Sequence, residues 1–163
     1  MSDTPDFTVG EAIVHPAHGV GRVERIGPER VAGEQIGVIQ IALEDRLLRV
    51  KVPVEKSAVV GLRRLCSPNE LAEACEVARQ KPRSGRGTWA HRAADYHYKI
   101  NSGQPALIAE VVRDLRRGGM RGSFSERQIF ERAVERLSGE LAVSHGMERS
   151  KARSHLLDVS LAA

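Results

Sequence analysis

Leu48-Arg49-Val50-Lys51-Val52 and, a little further on, Ser67-Pro68-Asn69-Glu70 together decide how this chain folds. In the first run Leu48, Val50 and Val52 point one way while Arg49 and Lys51 point the other. That period of two marks a half-buried strand. The second run places Ser at a helix N-cap, Pro at the first helical position and Glu three residues after the Ser. This capping box opens a helix running to about Gln80. The period of the chain therefore changes near residues 62–67, dividing it into domains at 1–65 and 66–163.

Toward the N-terminus the alternation repeats: Ile39, Ile41 and Leu43 alternate with Gln40 and Ala42. Turn residues punctuate the segment at Val9-Gly10-Glu11, His18-Gly19, Gly27-Pro28, Ala32-Gly33 and Glu44-Asp45. Short strands closely spaced by turns predict a small closed antiparallel β-barrel.

Toward the C-terminus the helical period takes over. Residues 81–88 form a loop by composition. Leu107, Ile108, Val111, Val112 and Leu115 then make one stripe, with Arg113, Arg116 and Arg117 off it and Gly118-Gly119 as the stop. Ser125-Glu126-Arg127-Gln128 has the form of a second capping box, opening a long helix that carries Ile129, Phe130, Ala133, Val134, Leu137 and Leu141. After Gly146 a last helix holds Leu156, Leu157 and Leu161. The expected fold class is α+β in two domains, a small barrel followed by an all-α bundle of about five helices.

Of the 163 residues 41% are apolar, enough for packed cores, and the net charge of +4 suits a polyanionic partner without requiring one. Cys66 and Cys75 form neither a CxxC pair nor a disulfide framework and read as two small buried thiols. No apolar run reaches the length of a membrane span, and the N-terminus has neither a basic nor an apolar leader segment, so the expectation is a soluble, cytoplasmic, reduced protein.

Catalytic and metal motifs are sparse. His15-Pro16-Ala17-His18 lacks further ligands at metal-site spacing, and His91 and His97 are too far apart for one helical turn. Gly19-Val20-Gly21 lacks the third glycine of a dinucleotide fingerprint, and Gly118-Gly119-Met120-Arg121-Gly122 lacks a following Lys-Ser/Thr. The expectation is a protein with no enzymatic activity, no metal and no cofactor. Segment 81–99 carries the richest chemistry: Lys81, Arg83, Arg86, Arg92 and Lys99 against Asp95 alone, around Trp89, with Tyr96 and Tyr98 following. Cations fix phosphates and an apolar ring can wedge against an unstacked base step. The same residues equally describe a core tryptophan at a helix start beside a solvated loop.

The chain resembles the CarD/CdnL family of bacterial RNA polymerase-binding regulators. The resemblance runs from Phe7 to Ala162. It is carried by Phe7-Thr8-Val9-Gly10-Glu11, Val14-His15-Pro16-Ala17-His18-Gly19-Val20-Gly21, Gly33-Glu34-Gln35, Val50-Lys51-Val52-Pro53 and Val60-Gly61-Leu62-Arg63. In the second half Trp89 with Arg92, Ile108 through Leu115, Phe124-Ser125-Glu126-Arg127 and Gly139-Glu140-Leu141-Ala142 continue it. The resemblance implies a Tudor-like first domain, shared with the transcription-repair coupling factor, that docks on the RNA polymerase β subunit by edge-strand pairing and polar contacts. The matching positions are Arg30, one place from the family's basic position, and Lys51, with Arg49 beside it. It also implies a helical second domain at the upstream edge of the promoter bubble. There Trp89 would wedge into the minor groove, flanked by Arg86, His91 and Arg92, and stabilise the open complex. A monomer associated with the nucleoid through the polymerase follows from the same resemblance. The chain departs from the family after Trp89, where Ala90-His91-Arg92-Ala93-Ala94-Asp95 replaces a denser basic-aromatic run. That departure motivates an alternative: a paralogue that docks on the polymerase, binds DNA weakly and offers its helical domain to another protein.

Overall fold

The computed structural model describes residues 7–43, 47–83, 85–117 and 121–161. The chain divides into two compact units, Met1–Leu65 and Cys66–Ala163.

The first unit is built on strands β1 (Ala12–His15), β2 (Gly19–Val31), β3 (Glu34–Leu43), β4 (Arg49–Pro53) and β5 (Arg63–Arg64). A 3-10 turn, Val54–Lys56, and a one-turn helix α1, Ser57–Val60, connect β4 to β5. All pairings are antiparallel, in the order β4-β3-β2-β1-β5. The expected closure into a barrel is corrected: among the described residues β4 and β5 do not pair, and the sheet is open. β5 is two residues long and reaches only Ile13 and Val14, too little to continue the sheet around to β4. The inward side chains Ile13, Val23, Ile39, Ile41, Leu43 and Val52 form the core with Phe7 and Leu62. Gly21 belongs to this packing, because a Cβ there would lie 2.6 Å from the Ile41 side chain and 2.8 Å from the Ala42 carbonyl.

β2 and β3 form a long hairpin around Ala32 (φ 50°) and Gly33 (φ 85°), two left-handed residues as a tight two-residue turn requires. The turn expected at Gly27-Pro28 is corrected, since both residues lie inside β2. A hairpin with a two-residue loop hydrogen-bonds the flanking pair Val31 and Glu34 and every second pair after it. Pro28, opposite Gly37, then falls on a non-bonded pair, so its missing N–H faces away from β3. Its carbonyl accepts from the Arg25 guanidinium at 3.0 Å. The turn expected at Glu44-Asp45 lies outside the described residues.

Among the described residues the second unit comprises α2 (Pro68–Arg79), α3 (Trp89–Asn101), α4 (Pro105–Leu115), α5 (Phe124–His145) and α6 (Arg149–Leu161). The box at Ser67 and Glu70 forms as drawn from the sequence. The second box is shifted by two residues: Ser123, not Ser125, caps α5, with Glu126 at the third helical position. Both serines have a Glu or Gln three residues on, and Ser123 brings an anion onto the positive end of the helix. α4 lies at the centre and packs against α2, α3 and α5, while α6 packs on α5 and α2. Ile108, Val111, Val112 and Leu115 of α4 meet Leu71, Ile100, Phe130 and Val134 in one core. Arg116 extends across to the C-terminal carbonyls Ala78 of α2 (3.0 Å) and Ser160 of α6, supplying partners that helix ends lack internally.

Two expectations about burial are corrected. Arg113 is buried rather than off the stripe, because central α4 is covered nearly all round. Cys66 and Cys75 are half-buried rather than fully buried, and burial raises the pKa of Cys75. The stop at Gly118-Gly119 lies outside the described residues. No described helix is long and apolar enough to cross a membrane.

Candidate functional site

In the first unit the chemistry gathers on an edge. β4 pairs only with β3 among the described residues. The Leu43 N–H donates to the Leu48 carbonyl at 3.0 Å, and the same register continues through Ile41–Val50 and Ile39–Val52. Antiparallel pairs alternate between bonded and non-bonded. Arg49 and Lys51 therefore fall on non-bonded pairs, and their backbone N–H and C=O groups face the open edge. Their side chains share one face of the sheet. Arg49 Nε lies 2.9 Å from Glu24 Oε2, and Lys51 Nζ lies 2.7 Å from Glu29 Oε1. Gln40 Nε2 also donates to Glu24, at 2.9 Å, and this bond, with that of Arg49, holds the Glu24 carboxyl below its ordinary pKa. Glu24 is the extra residue of the bulge between Val23 and Arg25, a device that re-aims a side chain. Arg30 stands exposed near the hairpin turn, opposite Gln35. The structure thus brings Arg49 and Lys51 together on β4 and places Arg30 on β2. Sequence reading missed Glu24 and Glu29, the carboxylates that hold the two cations in place.

In the second unit Thr88 caps α3, its hydroxyl accepting from the His91 N–H at 3.3 Å. Trp89 follows at the first helical position. Its ring is partly buried, packs on the helical core and lies 6.4 Å from the ring of Tyr96. The Arg92 guanidinium sits over the indole, 5.3 Å from its centroid, a cation–π arrangement. The Arg92 stem rests on the Gly85 backbone, where a Cβ would come within 2.7 Å of Cδ. Arg92 also hydrogen-bonds Tyr96, whose pKa is raised mainly by burial.

Beside this cluster opens a cleft of about 390 Å³ lined by Arg83, Arg86, His91 and Arg92 from one side and by Lys99 and Arg113 with their acids from the other. The remaining charges that line the cleft are paired. Arg113 Nε and Nη2 hold the two Asp114 oxygens at 2.7 and 3.1 Å, with side chains only 3% and 7% exposed. Lys99 Nζ lies 3.0 Å from Glu110 and 3.3 Å from Asp95; burial opposes its charge, but these hydrogen bonds outweigh it and raise its pKa. Arg83 and Arg86 have no acidic partner among the described residues. The structure therefore gathers Arg86, His91 and Arg92 at one cleft and sets Trp89 beside it, behind Arg92. Tyr96 was already marked by its place after Trp89, and Arg113 only as a cation off the α4 stripe, whereas Gly85 and Asp114 complete the site without having been singled out.

His15 and His18 have a structural place in the first unit. His15 Nδ1 accepts from the Ala17 N–H at 3.0 Å within the β1–β2 turn, and its ring lies 4.7 Å from that of His18. Among the described residues no group of three or more His, Cys, Asp or Glu is placed to hold a metal ion.

Two family models match the chain. "CarD-like/TRCF RID domain" covers residues 7–66, and "CarD, C-terminal domain" covers residues 73–157. The chain belongs to the CarD-like family of transcription regulators. Among its relatives is the "Putative transcription factor YdeB" of Bacillus subtilis (strain 168), 27% identical over 150 residues, covering 91% of this chain and 98% of that protein. Among solved structures, the 72-residue N-terminal domain of Myxococcus xanthus CarD, determined by solution NMR, is 33% identical over 36% of this chain and 77% of that one, with a TM-score of 0.31. The β4 edge of this CarD-like chain lies within the first matched region, and Trp89 with its cleft lies within the second.

Proposed function

We propose that this CarD-like protein docks on the RNA polymerase β subunit through its first unit and contacts promoter DNA through its second, stabilising the open complex. The observation that carries the docking is the open β4 edge, where Arg49 and Lys51 present unpaired backbone groups and flanking cations together. Such an edge is a template for a partner strand, and the polar side chains beside it select the partner. Arg30 contributes a further cation from the neighbouring hairpin. The match to the RID domain supports the same partner.

In the second unit Trp89 is the wedge at the upstream edge of the bubble, with Arg86, His91 and Arg92 holding phosphates. The regulator works by binding the open state better than the closed one, which shifts the population without catalysis. It works as a monomer, needs no cofactor or metal, and reaches the nucleoid through the polymerase.

A second reading is favoured by one feature: the Trp89 ring is partly buried and Arg92 covers one face. In that reading the chain docks on polymerase, binds DNA weakly and uses the helical unit for another protein. Anisotropy with a forked promoter fragment separates the two, since robust Trp89-dependent binding contradicts the second reading. The docking itself is tested by capture of RNA polymerase β subunit. The wild type should retain the subunit and Lys51→Glu should lose it; equal capture by both would overturn the docking site.

A further inference from the structure

We propose that the cleft lined by α3, α4, Arg83, Gly85 and Arg86 is a binding pocket for a small phosphorylated sugar, such as a nucleotide, in addition to any contact these cations make with promoter DNA. The size fits, since about 390 Å³ lies within the range of ligand pockets, roughly 300–1,000 Å³. The division of charge fits as well. At the rim Arg83 and Arg86 have no acidic partner among the described residues, and His91 stands exposed beside them. This is an arrangement for a phosphate group.

Carboxylates line the same cleft beside these cations. Asp114 has both oxygens occupied by Arg113 and by the Arg83 backbone N–H. Glu110 and Asp95 each hold Lys99 through one oxygen, Oε2 and Oδ2. The second oxygen of each is left to accept from a sugar hydroxyl or an exocyclic amine. A DNA backbone offers a row of phosphate diesters and no donor groups, so it suits the cations and not the carboxylates. A ligand with an anionic end and a hydrogen-donating end suits both. Because Arg92 lines the cleft and also covers the indole, occupancy should register at Trp89, the only tryptophan in the chain.

The test is calorimetric titration of the full chain at constant ionic strength with ribose 5-phosphate, AMP, adenosine and inorganic phosphate, with Trp89 fluorescence read in parallel. Saturable binding of the phosphorylated sugars is expected, at least tenfold tighter than that of adenosine or inorganic phosphate. Arg86→Ala should weaken it at least tenfold, whereas Arg153→Ala, which removes one cation from the distant surface of α6, should leave it unchanged. Circular dichroism confirms that the variants fold. Absence of saturable heat, inorganic phosphate binding as tightly as AMP, or equal binding by Arg86→Ala would each overturn the proposal. The proposal draws on the same rim as the DNA contact, so forked-DNA binding is measured on the same preparation. DNA bound with an empty cleft sinks the pocket alone; ligand bound without DNA sinks the DNA contact alone.

Discussion

The two units of this protein present cations in opposite ways. On the sheet, Arg49 and Lys51 are already held by Glu24 and Glu29, and what remains open is the backbone of the strand that carries them. In the helical unit the backbone is closed within helices, and what remains open is side chains: Arg83 and Arg86 at the rim of a cleft. A surface that recognises mainly through its backbone tolerates truncation of a side chain, though not a reversed charge beside the edge, and fails when the strand edge is blocked. A surface that recognises through side chains behaves the other way round. The same formal charge therefore does different work in the two halves.

The largest expected effect falls on the support of the helical site. Asp114→Ala leaves Arg113 buried without its bidentate partner. Removing one member of a buried pair costs about 3–5 kcal/mol. Urea unfolding should show that loss, and a change below about 1 kcal/mol, the level of an exposed pair, would contradict the burial on which the cleft is built.

Next comes a direct attack on the comparison. Lys51→Pro removes an N–H that faces the open edge while sparing the ladder to β3. Capture of the polymerase β subunit should fall by a factor of about thirty or more, corresponding to about 2 kcal/mol. Lys51→Ala, which keeps the N–H, should lose much less. If the alanine variant is the weaker of the two, side chains rather than backbone carry the docking.

A smaller effect sharpens the account of the sheet. Glu24 is held below its ordinary value of 4.5 by Gln40 and Arg49. A carboxyl with a depressed folded pKa contributes stability above its unfolded value and loses it as the pH falls through the folded one. NMR titration of the Glu24 carboxyl carbon should give a midpoint below 4.5, moving upward in Arg49→Ala. A midpoint at or above 4.5 in the wild type would contradict the Gln40–Glu24–Arg49 arrangement.

Much of the fold was legible because the period changes so sharply between Lys51 and Ser67: alternation can build only strands there, and a capping box opens a helix. What escaped reading depended on partners distant in sequence or on competing local signals. Gly27-Pro28 carries turn residues, yet the pairing phase of the hairpin leaves Pro28 on the side where no N–H is needed. Ser123 and Ser125 both satisfy the capping pattern, and only the geometry of α5 selects the first. Arg113 reads as a surface cation until α4 is seen to be enclosed by its neighbours. At the site, the cation-rich segment around Trp89 and Tyr96 was visible, whereas the parts of Gly85 and Asp114 were not. Their contribution is to fix Arg92 and Arg113 in space, which spacing along the chain does not reveal.

The claim that binds both units together is that Trp89 acts on the promoter while β4 holds the polymerase. It is tested most directly by the lifetime of open promoter complexes formed with the wild type and with Trp89→Ala. Loss of an aromatic–base contact is worth about 1–3 kcal/mol, so the variant's complexes should decay roughly ten- to a hundredfold faster while capture of the β subunit is unchanged. An unchanged lifetime with capture intact would contradict the claim.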